Sequence, residues 1–180
     1  MEIVIYILGT VGGLIALVLI VAMFVKKNYS LQRQIAINKS RQEVFDFVKH
    51  TQNAMRYNKW FMTDPNHRKE LRGTDGTVGF VYAWDSDNKQ VGKGEQEIKS
   101  MVEGQRIEHE IRFIKPFEGK ADAWMETKED GNGTTVVVWG FSSGMKYPMN
   151  IMLLFMDFEK MLGKDMETSL SNLKNVLEKE

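Results

Sequence analysis

The strongest constraint on this chain is the run Ile3–Val25, 23 residues with nothing more polar than Tyr6 and Thr10. As a helix, such a run spans roughly 34 Å, enough for a bilayer core of roughly 30 Å. Glu2 is the only charged side chain in residues 1–25, and all 24 Lys and Arg residues lie from Lys26 onward. A core helix in a chain of 180 residues is rarely apolar on every side. A secretory signal has a positive segment before a shorter apolar stretch and a small-residue cleavage site. Here the positive charge follows the run, and Met23-Phe24-Val25-Lys26 is a poor cleavage site. The sequence therefore predicts a retained transmembrane anchor at residues 1–27 and a single domain at residues 28–180.

Lys26 and Lys27 follow the apolar run directly, with Arg33, Lys39 and Arg41 close behind. The positive-inside rule then places the C-terminal domain in the cytoplasm of a single-pass membrane protein. The absence of cysteine fits a reducing compartment. Asn28-Tyr-Ser and Asn132-Gly-Thr match the glycosylation tripeptide, but a cytoplasmic domain does not meet that machinery. After residue 25 the chain carries 24 basic and 23 acidic residues, with no basic stripe, so nucleic acid is not an expected partner. The lysines beside the anchor serve as a topology signal or touch anionic headgroups. Gly9-Thr-Val-Gly-Gly13 has small-xxx-small spacing, which allows weak self-association of the anchor but is common in membrane helices in any case.

Beyond the anchor, Tyr29–Asn38 alternates like a strand, and Asn38 or Ser40 caps a helix carrying Val44, Phe45 and Val48. A second short helix opens at Thr51 and ends near Trp60. Six further strands are then bounded by turn residues: one ending at Leu71–Gly73, then Thr77–Asp85, Val91–Val102, Gln105–Ile114, Glu118–Glu129 and Thr134–Phe141. Asp130-Gly-Asn-Gly133 is a strong hairpin signal. From Ile151 the apolar positions switch to the 3,4 spacing of a long amphipathic helix running through Leu177. The expected fold class is α+β, a curved antiparallel sheet wrapped on a long C-terminal helix.

Ordered sequence pieces add a resemblance. They include Lys59-Trp60 with Asp64-Pro65, Gly76-Thr-Val-Gly79 leading into Tyr82-Ala-Trp84, and Val91-Gly-Lys-Gly94 with Ile98. Arg106-Ile107, Phe113-Ile-Lys-Pro116, Gly133-Thr134 with Val136 and Trp139, and Phe155-Met-Asp157 follow. Lys160-Met161, Gly163-Lys-Asp165 and Leu170–Lys174 complete the set. Together they resemble the polyketide cyclase/dehydrase-like branch of the START-like (SRPBCC) superfamily, which includes the birch-pollen allergen. The resemblance implies a helix-grip fold and, as the shared theme of an otherwise diverse superfold, a cavity for a hydrophobic small molecule or lipid.

Strand periodicity sorts the candidate site residues. Ile107, His109, Ile111 and Phe113 share one face of their strand, opposite Arg106, Glu108, Glu110 and Arg112. The apolar set faces inward, which makes His109 the one titratable group expected inside. It serves either as a polar handle or proton carrier, or as a structural imidazole satisfied by a neighbour. Phe80, Tyr82 and Trp84 share a face, as do Trp139 and Phe141. Such aromatics either line a cavity or fill it. Met152, Phe155 and Met156, on the expected helix, complete the candidate wall, although methionines at helical spacing also make ordinary core. Lys146-Tyr-Pro-Met149 is either the lip of a cavity mouth or an ordinary loop. No tight metal-ligand cluster, cysteine nucleophile or phosphate-cradling loop is present, so neither metal nor cofactor is expected. Glu95 and Glu97, beside Lys93 and Lys99, have the pattern of a solvated face.

These features support a membrane-anchored binding domain for an apolar ligand. The alternatives are a cyclase- or dehydratase-like enzyme using His109, with Tyr82, as acid and base, or a regulatory domain that binds another protein.

Overall fold

The computed structural model describes Glu2–Lys179. Helix α1 covers Glu2–Phe24 and strand β1 Asn28–Ile37. Helix α2 (Arg41–Val48), a 3-10 turn (Thr51–Arg56) and α3 (Lys59–Thr63) follow. The strands are β2 (Arg68–Arg72), β3 (Val81–Asp85), β4 (Lys93–Val102), β5 (Arg106–Lys115), β6 (Gly119–Glu129) and β7 (Thr135–Gly144). A second 3-10 turn, Met149–Leu154, precedes α4 (Phe158–Lys179). The seven strands form one antiparallel sheet in the order β1-β7-β6-β5-β4-β3-β2. Strands β2 to β7 are a meander, and β1 pairs on its far side with β7.

Local sequence explains the boundaries. Ser40, rather than Asn38, caps α2: its hydroxyl accepts from the Glu43 amide, and the Glu43 carboxylate accepts from the Ser40 amide. At the β6–β7 hairpin, Gly131, Asn132 and Gly133 all have positive φ, a conformation that glycine and asparagine adopt at low cost. Strand β3 starts at Val81, not Thr77, because Gly79 takes φ +89° and bonds its amide to the Ile98 carbonyl outside the ladder. Strand β7 runs beyond Phe141 to Gly144, where it meets Asn28 of β1.

The long helix corrects one sequence expectation. It begins at Phe158 rather than Ile151, with the Asp157 carboxylate accepting from the Lys160 amide at its start. The apolar stripe before it, Met149–Leu154, winds as the 3-10 turn because Asn150 is committed elsewhere. Its side-chain amide donates to the Ala22 and Val25 carbonyls at 2.7 and 3.0 Å, satisfying the open end of α1.

The core lies between the concave face of the sheet and the α4 stripe Met166, Leu170, Leu173 and Leu177, joined by Val44, Phe45 and Val48 of α2. The convex face is covered by ion pairs. Arg112 holds Glu95, Glu97 and Glu110, and Arg106 holds Glu108 and Glu126 while lying over the Trp124 ring. Hydrogen bonding from Arg112 keeps the Glu95 carboxyl below the usual carboxylate range. Trp124 in turn lies on Gly140, where any Cβ would fall inside the indole.

Among the described residues, α1 is the one helix long and apolar enough to cross a membrane, and its apolar window is not buried against the rest of the chain. The core cluster contains no residue before Leu31. A chain beginning at Asn28 should therefore unfold in one cooperative urea transition, with its apolar core intact. A broad, non-cooperative transition would contradict a self-sufficient core.

Candidate functional site

The sheet and α4 do not close completely on each other. Between them lies a cavity of about 340 Å³, at the lower end of the roughly 300–1,000 Å³ typical of small-molecule sites. Much of its wall is aromatic, with Trp60, Trp84, Phe113 and Trp139 among the lining residues. Trp60 meets Trp139 edge-on at 6.0 Å, and Trp84 meets Phe113 edge-on at 6.4 Å. Trp84 reaches this position because it lies across Gly94, where a Cβ would collide with its ring. Its indole N–H donates to the Val91 carbonyl at 3.2 Å.

One side is closed by the segment from Thr51 to Phe61, fastened to α4. The Lys59 amide donates to the Ser169 hydroxyl at 2.9 Å, its ammonium pairs with Asp165, and the Asn172 side chain donates to the Tyr57 carbonyl at 3.2 Å. Two buried polar atoms on the cavity-lining residues have no hydrogen-bond partner: His109 Nε2 and Thr51 Oγ1. Buried polar groups are normally satisfied, so such orphans need an explanation. Desolvation lowers the His109 pKa to about 4, so the ring is neutral at neutral pH. Tyr57 adds a buried phenol that donates to the Met125 sulfur at 3.8 Å, and burial raises its pKa.

Of the residues expected from sequence, Trp84, His109, Ile111, Phe113, Trp139 and Phe141 line the cavity. Phe80, Tyr82 and Ile107 are buried in the core instead. The Tyr82 hydroxyl lies 2.8 Å from His67 Nε2, and His67 Nδ1 lies 2.6 Å from the Asp64 carbonyl. A carbonyl only accepts, so Nδ1 carries the proton, and in the neutral ring Nε2 accepts from Tyr82. Burial pushes the Tyr82 phenol up to about 12. Met152, Phe155 and Met156 lie outside the cavity; Phe155 and Met156 stand beside the end of α1, and Phe155 is 82% exposed. Their place on α4 is taken by Leu162 and Met166.

Sequence reasoning missed Thr51, Trp60 and Phe61, which sit on helices too short to show a period, and Tyr57, which lies between them. It also missed Ala123, directly across the ladder from His109. The alternation Ala121, Ala123, Met125 on β6 carried that signal, since small residues on a concave face leave space. Among the described residues, no group of three His, Asp or Glu side chains could hold a metal ion.

No family model and no curated protein sequence matches this chain. Solved structures do. Norcoclaurine synthase from Thalictrum flavum, solved with dopamine and hydroxybenzaldehyde, superposes with a TM-score of 0.61 at 11% identity, covering 89% of this chain and 93% of that one. Ara h 8.0201 gives 0.55 at 9% identity, with 85% and 99% covered. DynU16, from the dynemicin biosynthetic locus, gives 0.58 at 12% identity, with 83% of this chain and 47% of that one covered. At these identities the likeness speaks to architecture alone, and it agrees with the strand order and the long C-terminal helix: this chain has the helix-grip fold of the START-like, SRPBCC-type proteins.

Proposed function

We propose that this protein is a membrane-tethered binding domain whose cavity holds a compact apolar molecule bearing one polar group. The observation that carries this reading is the cavity itself, walled largely by aromatic and aliphatic side chains with His109 and Thr51 among the residues that line it. An apolar wall supplies affinity, and a few convergent polar groups fix orientation. The volume suits one acyl chain or a small ring system better than a whole diacyl lipid. The fold is shared with a synthase solved with two small aromatic molecules, which supports a cavity of this use. Helix α1 supplies the tether, with Lys26 and Lys27 favouring a cytoplasmic domain. The enzyme alternative loses its second member, because Tyr82 is committed to His67 and does not line the cavity.

Binding is testable on residues 28–180. Trp60, Trp84 and Trp139 line the cavity, so phenylnaphthylamine bound there should quench their fluorescence by energy transfer. Ala123→Phe fills the space opposite His109 and should weaken that binding by about tenfold or more while the protein stays folded. Equal binding by Ala123→Phe, or no uptake at all, contradicts a ligand cavity.

The histidine gives a separate test. An unfolded chain protonates His109 near pH 6.5, whereas the folded protein holds its pKa at about 4. The depressed value leaves stability unaffected above about pH 6.5 and costs more as pH falls towards 4, because only the unfolded state takes up the proton. At pH 5 the loss is about 2 kcal/mol. In His109→Gln the decline in urea-unfolding free energy between pH 7.5 and 5 should shrink by about that amount. An unchanged profile means that the imidazole is not buried and neutral.

A further inference from the structure

The strand register places the attachment of α1 and the cavity mouth at one end of the sheet. Asn28 pairs with Gly144, Ser143 with Ala121, Gly119 with Phe113, Lys115 with Lys93, and Lys93 with Asp85. The start of β1 and the loops 86–92, 116–118 and 145–157 therefore share that end. The exposed residues that line the cavity there, Lys89, Gln90, Lys115 and Pro116, form its mouth. The Asp130–Gly133 turn lies at the opposite end.

This end also has an unusual surface. The three exposed aromatic side chains after residue 28, Phe117, Tyr147 and Phe155, all stand on its loops, at 78%, 44% and 82% exposure. Met149, Leu154 and Met156 add exposed aliphatic surface. Lys26, Lys27, Lys89, Lys115 and Lys146 are exposed at the same end. The acids among them are Asp87, held by Arg68, together with Glu118, Asp157 and Glu159. Exposed apolar side chains together with lysines are the composition of a lipid-interface segment.

The loop is also fixed in depth. The Met145 amide donates to the Lys27 carbonyl at 2.8 Å, Asn150 closes the end of α1, and the Tyr147 hydroxyl donates to the Leu19 carbonyl at 3.3 Å. Leu19 lies six residues before Val25, about 9 Å back along the helix axis. A chain whose α1 spans a bilayer therefore carries Tyr147 into the roughly 5–10 Å layer where headgroups meet acyl chains.

We propose that loops 86–92, 116–118 and 145–157 form a rim seated in the bilayer surface, so that the cavity opens onto lipid and its ligand enters without crossing water. This rests on the tether reading above. The cysteine-free sequence allows a direct test in the full chain. Single variants Phe117→Cys, Phe155→Cys, Asn132→Cys and Ala16→Cys, labelled with a nitrobenzoxadiazole dye, are reconstituted in protein-free phosphatidylcholine–phosphatidylglycerol vesicles. Labels at 117 and 155 should be blue-shifted, quenched by shallow doxyl lipids and shielded from aqueous iodide roughly fivefold relative to 132. Iodide access at 117 equal to that at 132, with 16 shielded, overturns the rim and leaves the tether standing. Access at 16 overturns both. Shielding of 117 that appears only in native membranes assigns the face to a protein and also overturns the rim. Ligand binding is read separately on residues 28–180, so failure there is distinguishable from failure here.

Discussion

Everything else in the structure depends on how the α4 stripe meets the concave sheet. Met166, Leu170, Leu173 and Leu177 cannot be buried by a flat sheet alone, and the curved meander surrounds them with inward side chains of successive strands. Burial of this kind is the dominant favourable term in folding. Where the facing residues are large, as with Phe80, Tyr82 and Ile107, the space is filled. Where β6 presents Ala123, a cavity remains. The cavity is thus a consequence of residue size on one face of one strand, not of a separate device.

The same geometry accounts for the orphaned polar atoms. His109 lies on the inward face by strand alternation, across from Ala123, and no neighbour supplies a partner for its Nε2. Leaving a buried polar group unpaired costs on the order of 1–3 kcal/mol. The convex face shows the opposite solution, with Arg112 and Arg106 each answered by carboxylates.

Much of this was legible in the sequence, because periodicity reports faces. The alternation in β5 and β7 placed His109, Ile111, Phe113, Trp139 and Phe141 on the cavity side. The long helix was legible, but its start was not. Met149–Leu154 continues the apolar stripe, and only the long-range bonds of Asn150 to Ala22 and Val25 reveal why the chain turns there. The same continuity drew Met152, Phe155 and Met156 onto the expected cavity wall. Tyr82 is on the inward face, yet its ring is covered by Phe61 and its hydroxyl taken by His67, neither of which its own strand foreshadows. Thr51, Tyr57 and Trp60 were illegible because a 3-10 turn and a five-residue helix carry no usable period.

The central claim is that the space beside His109 is a binding site and not a packing defect. Native mass spectrometry of residues 28–180 purified from cells, compared with Ala123→Phe, tests it most directly. A ligand site predicts a noncovalent apolar molecule at one per chain, released by organic solvent and lost in the variant. A bare protein mass in both preparations, with no uptake from an added lipid extract, would contradict it.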